Sequence, residues 1–367
     1  MYHTVTYHLE PRGPMHIGES GVGLEQARDT VPSDTLYAAL LANWVNLGEE
    51  GAAWDRAFRH SPPFLLTSAY PRVGSVRFYP VPQCAASESL STEVDLKAWK
   101  RVRFVSEAIF ERMVTRQSLD GWYPSAQAHA GRGALLQGGA LWLSRDEIDK
   151  LPDAFQSIAG PMGDALPRSL GALPHLNAWA YACTPRVAVD RLSQVSDIYH
   201  AGRVSWAPGC GLWFRVAYAE GSATWRADFE RALHALGDAG LGGMRSAGMG
   251  GFDWRSAQEG TLRVPDAGAL VTTLSRYHPR SAEAQAVLAD AQARYRLVAV
   301  AGYVGSLARA AQRRRRVWLV EAGSVLRATG AGAMGDVVDV RPAGGFPHPV
   351  SRYGLAFPVI LGGWDAS

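Results

Sequence analysis

Residues 240–251 read Gly-Leu-Gly-Gly-Met-Arg-Ser-Ala-Gly-Met-Gly-Gly, six glycines in twelve positions. No helix or strand tolerates that density, because each glycine adds backbone entropy that folding must remove. The stretch follows Trp225, Phe229, Ala232, Leu233 and Leu236, whose spacing predicts an amphipathic helix over 225–236. A dinucleotide-binding fingerprint follows a strand and opens a helix, so that reading fails on context. A Walker loop needs Gly-Lys, and none occurs in the chain. Two readings remain. One is a stack of turns that needs positive φ; the other is a loop whose bare amides, helped by Arg245 and Ser246, hold a phosphodiester backbone without reading bases.

The basic residues point the same way without deciding it. Lysine occurs only at 97, 100 and 150, so 34 of the 37 basic residues are arginine. Guanidinium forks suit phosphates and stacked bases better than ammonium does. A net charge of +3 is too small to argue for nucleic acid by itself. Arg313-Arg314-Arg315-Arg316 is either a solvated hairpin tip or, with Tyr303 and Trp318 nearby, a grip on a single strand by charge and stacking.

With 47% hydrophobic and 19% charged residues the chain is a globular protein and not a disordered one. At 367 residues it has room for about two domains. It lacks an apolar run long enough for a membrane span, and its first residues lack a signal peptide's pattern. The three cysteines, Cys84, Cys183 and Cys210, are scattered, which predicts a reducing, cytoplasmic setting and no disulfide framework or cysteine zinc site. His-Glu-x-x-His, Cys-x-x-Cys, Gly-x-Ser-x-Gly and Asp-x-Asp patterns are missing, so no metal and no cofactor is expected.

Residues 3–9 alternate as a strand, and Pro32-Ser33-Asp34 opens a helix that Gly48 ends, with Ser33-Asp34 read as its N-cap. Short strands are expected at 64–69 and 73–79, and a helix at 106–114. Further strands are expected at 186–190, 211–218, 295–304 and 317–320. Pro, Gly and Ser enrichment over 152–174 suggests a domain boundary there. A strand, loop and helix open each half. The expected class is therefore α+β, with two ferredoxin-like (RRM-like) domains carrying irregular insertions, over 1–165 and 170–367, the glycine-rich loop lying in the second.

Several blocks together resemble one family. They are His16-Ile17-Gly18-Glu19-Ser20-Gly21-Val22-Gly23-Leu24-Glu25, then Pro32 through Leu40, Leu96 through Val105, Arg186 through Arg191, Gly240 through Gly251, Gly302-Tyr303-Val304, Glu321 through Leu326, and His348 through Gly354. In this order, over nearly the whole chain, they are similar to the RAMP-superfamily subunit of type III-A CRISPR effector (Csm) complexes that holds the five-prime handle of the guide RNA (crRNA). Met249 stands where the family usually has an aromatic residue, and Pro32 where it often has histidine. The resemblance implies a non-catalytic, RNA-binding role in antiviral defence. It also implies docking on the large polymerase/cyclase-like subunit and on the first backbone RAMP subunit, with no membrane partner. For the handle, Arg245, Ser246 and the amides of Gly242, Gly243, Gly248 and Gly250 are expected against phosphates. His16 and Gly18 are expected on the facing edge, the start of the helix at Ser33 near a phosphate, and Arg186 and Arg191 in reach of the same cleft. Two alternatives stand beside this reading. One is a metal-independent endoribonuclease of repeat RNA using His16, His129 or Tyr7; the other is the equivalent subunit of a type III-B (Cmr) complex.

Overall fold

The structure, a computed structural model, describes residues 2–18, 23–83, 99–124, 131–159, 170–190, 192, 195–304, 312–330, 332–342 and 346–362. In chain order its elements begin with β1 (Tyr2–Pro11), α1 (Ser33–Asn46), α2 (Gly51–His60), β2 (Phe64–Leu66), β3 (Tyr70–Val73) and β4 (Val76–Pro80). Then come β5 (Phe104–Ser106), α3 (Glu107–Val114), β6 (Gly133–Leu136), β7 (Leu141–Ser144), α4 (Asp153–Ala159), β8 (Trp179–Val189), β9 (Ser196–Trp206) and β10 (Cys210–Ala219). The series continues with α5 (Ala223–Ala239), β11 (Phe252–Leu262), β12 (Leu270–Thr273), α6 (Ser281–Leu288), β13 (Leu297–Val300) and β14 (Tyr303–Val304). It closes with β15 (Gln312–Arg313), β16 (Val317–Val320), β17 (Val325–Arg327), β18 (Gly335–Asp339), β19 (Ser351–Leu355) and β20 (Pro358–Ile360). The architecture is α+β.

The principal sheet has nine strands in the order β11-β1-β10-β3-β4-β5-β7-β6, with β2 also paired to β10. β1 lies between β10 and β11 and is antiparallel to both. Val5, Tyr7 and Leu9 alternate onto one face, fully buried, and lie opposite Val216, Phe214 and Leu212 of β10. Tyr7 stacks on Phe214 at 5.2 Å and meets Phe229 of α5 at 5.3 Å. The helices close over this face: Trp44 of α1 stacks on Trp225 of α5 at 5.7 Å, and Trp54 and Phe58 of α2 pack beside them. Each of these buried rings stabilises the fold, since deleting one costs about 3–5 kcal/mol.

This pairing corrects the expected domain division. Strands from both sides of 165–170 share one sheet, so 1–165 and 170–367 are not separate bodies. The glycine-rich loop joins α5 to β11 and therefore belongs to the same body as β1. The proline- and glycine-rich stretch at 152–174, part of which lies outside the described residues, sits within an insertion between β3 and β10. β4 to β7 of that insertion extend the sheet, and β8 and β9 leave it as a two-stranded hairpin. From β12 onward the chain forms smaller sheets, with β12 between β17 and β20, β13 beside β16 and β18 beside β19. They dock on the first body through Tyr353, whose hydroxyl accepts the Leu66 N–H at 2.9 Å and whose ring meets Tyr37 of α1.

The second face of β1 is also covered, and His8 is buried there with neither ring nitrogen hydrogen-bonded. Burial, then Arg72, Arg255 and Arg77, holds its pKa down at about 3. Between pH 6.5 and 3 the unfolded chain therefore takes a proton that folded His8 refuses. Stability falls as pH drops through that window, with a slope approaching about 1.4 kcal/mol per pH unit from this one group. Denaturant unfolding at pH 7, 5.5 and 4.5 checks it. His8→Phe should flatten the decline relative to the parent, and an identical pH slope in both proteins would contradict the assignment.

Candidate nucleic-acid interface

The glycine-rich loop starts where α5 stops. Gly240 takes φ +84° while its N–H still bonds the Leu236 carbonyl. From there the loop lies against residues 14–18. The Gly243 N–H donates to the His16 carbonyl at 2.8 Å, the Gly250 N–H to the Pro14 carbonyl at 2.9 Å, and the Gly248 N–H to the Arg245 carbonyl at 2.9 Å. Three of the four amides expected to meet phosphate thus serve the fold. A Cβ on Gly242 would stand 2.4 Å from the His16 carbonyl oxygen, and one on Gly250 would stand 2.3 Å from that of Leu241. The close approach that requires glycine is to the chain's own backbone.

The crest of the loop is different. Arg245, Ser246, Ala247 and Gly248 are exposed, held up by Met244 at φ +55° and Gly248 at φ +78°. No ion pair or hydrogen bond engages the Arg245 guanidinium among the described residues. Charge, a hydroxyl and open space coincide there.

The other expected site residues divide. Gly18 is exposed and lines a cleft described below. His16 is buried, with Nδ1 2.7 Å from the Gly202 carbonyl oxygen of β9, so its ring joins the loop, residues 14–18 and the hairpin base and does not form an open edge. Ser33 is fully buried and is not the N-cap. Pro32 holds that position without a side-chain bond, the Ser33 hydroxyl accepts the Arg276 N–H at 2.9 Å, and the Ser33 N–H donates to Ser68. Arg186 stands on β8 opposite Tyr199, its Nε–H buried without a partner. Arg191 and His129 lie outside the described residues. Tyr7 is buried, bonded to Tyr218 and Glu230, and burial pushes its phenol far above the ordinary range. Beyond Arg186 the hairpin exposes Val187, Val189 and Ile198, and Leu192 at its tip is 97% exposed.

Sequence reasoning missed a second basic feature. A cleft of about 230 Å³ opens between α1 and the β13–β14 region, lined by Gly18, Arg28, Arg276, Tyr303, Arg314 and Arg352 among others. Asp34, fully buried at the start of α1, binds both Arg276 (3.1 Å) and Arg352 (2.6 Å); Arg276 also reaches Glu321 at 3.2 Å. The only hint in the sequence was the run Arg313–Arg316. It splits here: Arg313 lies over the Tyr303 ring at 5.8 Å, and Arg314 turns into the cleft.

Comparison with known proteins fits this architecture. Residues 266–361 match the family model described as the CRISPR Csm4 C-terminal domain. Over 350 residues, 94% of this chain and 93% of the relative, the chain is 27% identical to the CRISPR system Cms protein Csm4 of Mycobacterium tuberculosis strain CDC 1551 / Oshkosh, and equally to that of strain ATCC 25618 / H37Rv. The fold is similar to a chain in a crystal structure of a Csm3–Csm4 subcomplex of the type III-A CRISPR-Cas interference complex. The TM-score is 0.61 at 14% identity, over 98% of this chain and 99% of that one. It is also similar to a chain of the Csm1–Csm4 cassette in complex with pppApA, with a TM-score of 0.52 at 16% identity over 98% of both chains. The chain is thus similar, in sequence and in fold, to the Csm class of type III-A CRISPR subunits. Within that class its likeness is to Csm4, over 94% of the chain in sequence and most directly over 266–361.

Proposed function

We propose that this subunit holds the five-prime, repeat-derived handle of the crRNA and does no chemistry on it. The observation that carries the reading is the exposed crest at 245–248, where Arg245 is uncommitted while the loop beneath it is fixed by the Gly243 and Gly250 bonds. A rigid base with one free guanidinium positions a phosphate without reading a base. Cutting RNA without a metal needs an accessible acid or base. The burial of His16 and Tyr7 favours holding over cutting. The partners named with the similar proteins suggest the neighbours: a Csm3-like backbone subunit on one side and a Csm1-like large subunit on the other.

The same reading treats the chain as two units of ferredoxin-like origin. In the first, β1, α1, β2–β3, β10, α5 and β11 follow one another with strand order fourth-first-third-second, and residues 74–209 are an insertion. The second begins near 266, where the Csm4 C-terminal match starts.

Arg245→Ala tests the site. In the assembled complex or the purified chain, repeat-derived single-stranded RNA should bind more weakly by about 1–2 kcal/mol, the worth of one charge-assisted contact. The slope of log affinity against log salt should fall by about one. Unchanged affinity and slope would remove Arg245 from the interface. A discrete RNA product that vanishes in His16→Ala would replace the holding role with a nuclease.

A further inference from the structure

Among the described residues, the cleft between α1 and the β13–β14 region holds an arginine, Arg314, that no carboxylate pairs with. Four guanidinium groups line it, those of Arg28, Arg276, Arg314 and Arg352. Among the described residues Asp34 and Glu321 both bind Arg276, Asp34 also binds Arg352, and Arg28 is engaged as well. Asp29, beside Arg28 in the chain, is held bidentately by Arg103 at 2.6 and 2.8 Å and takes a further bond from Tyr181. The Nε atoms of Arg314 and Arg352 are buried without hydrogen-bond partners. Arg314 has no carboxylate partner among the described residues, and burial, then repulsion from Arg352, lowers its pKa to about 10. A half-buried guanidinium left in this state destabilises the fold unless something else accounts for it.

We infer that this cleft is a phosphate-binding site, in which Arg314 and Arg352 hold one phosphate group of a nucleotide or nucleic-acid strand. The unpaired Nε–H groups supply the donors, and planar guanidinium forks match phosphate oxygens in spacing. The volume suits a phosphate with part of its sugar and is small for a complete drug-sized ligand. At the mouth, Tyr303 is 57% exposed with Arg313 over its ring, a platform for the attached base or ribose. Gly18, also at the mouth, ends the segment 14–18 on which the glycine-rich loop rests, so a continuous piece of chain joins this cleft to the Arg245 crest. The inference does not need the crest to bind RNA, because its evidence is the charge and the unpaired donors of the cleft itself.

The test uses the full chain, with inorganic phosphate and a single-stranded RNA of arbitrary sequence as probes. Thermal unfolding is followed in sodium phosphate and in sodium chloride of equal ionic strength, and RNA affinity by fluorescence anisotropy. The parent, Arg314→Ala, Arg314→Lys and Arg245→Ala are compared. Phosphate should raise the parent's melting temperature above the chloride value, and Arg314→Ala should abolish that rise. Without phosphate, Arg314→Ala should melt no lower than the parent, since it removes an uncompensated charge. RNA should bind Arg314→Ala about tenfold more weakly, the scale of one lost charge-assisted contact, with partial recovery in Arg314→Lys. A phosphate-specific rise in the parent with RNA affinity unaffected by Arg314→Ala would support the phosphate chemistry and identify a free phosphate compound as its source. Absence of any phosphate-specific rise together with unaltered RNA affinity overturns the inference, and so does a lower melting temperature of unliganded Arg314→Ala with both binding readouts intact. Arg245→Ala separates the two sites: RNA loss there alone, with no phosphate-specific rise in the parent, keeps the crest and discards the cleft.

Discussion

Replacing Asp34 with Ala is expected to lower the unfolding free energy by about 3–5 kcal/mol, the usual cost of leaving buried charge without its partner. Asp34 is fully buried, and its two oxygens divide between Arg276 at 3.1 Å and Arg352 at 2.6 Å, each about 95% buried. Asp34 lies on α1 and both arginines lie beyond residue 270, so the carboxylate also ties the first body to the C-terminal one. Among the described residues Arg276 keeps Glu321, but Arg352 keeps only the Ala301 carbonyl at 2.9 Å. Urea unfolding reads the effect as a drop in midpoint. A loss below about 1 kcal/mol, the range of exposed ion pairs, would show that water or another group replaces the carboxylate and that the triad does not join the two bodies.

Gly242→Ala should be strongly damaging for the addition of one methyl group to the glycine-rich loop. The residue takes φ +99°, and an added Cβ would stand 2.4 Å from the His16 carbonyl oxygen, which already accepts the Gly243 N–H. The backbone conformation alone costs an alanine about 1–3 kcal/mol, and the clash adds to it by pushing the loop off residues 14–18. Gly248→Ala is the matched control: φ is +78°, but a Cβ there meets nothing within 4 Å. It should show the conformational cost and no more. Thermal unfolding of the two variants, with hydrogen exchange at the Gly250 amide as a local probe, separates the effects. Equal losses would mean that the approach to His16 is not what the glycine serves.

Local elements were legible where one periodicity ruled. Val5, Tyr7 and Leu9 alternate because one face of β1 meets the helices, and Trp225, Phe229, Leu233 and Leu236 repeat as one helical stripe. The strands expected at 64–69, 73–79 and 211–218 and the helix at 106–114 stand close to their expected places. β9 was invisible because Ser196, Asp197, His200 and Gly202 interrupt any apolar alternation along it, and β11 because most of it is polar. Of the site, the chain pattern marked the glycine-rich loop and Arg245. It did not show that the amides of Gly243 and Gly250 are occupied from within, since their acceptors sit more than two hundred residues away.

By itself, then, the order of residues determined the α+β class, the main amphipathic elements, the family likeness and a glycine stretch that must turn back on itself. Tertiary structure alone decided that β1 lies between β10 and β11, that the chain is not divided at 165–170, and that Asp34 is an ion-pair hub and not a cap. The physical reason is range. Periodicity and turn chemistry act between neighbours a few residues apart. Strand partners, carboxylate partners and the occupants of an amide are chosen across hundreds of residues by packing, which leaves no local trace.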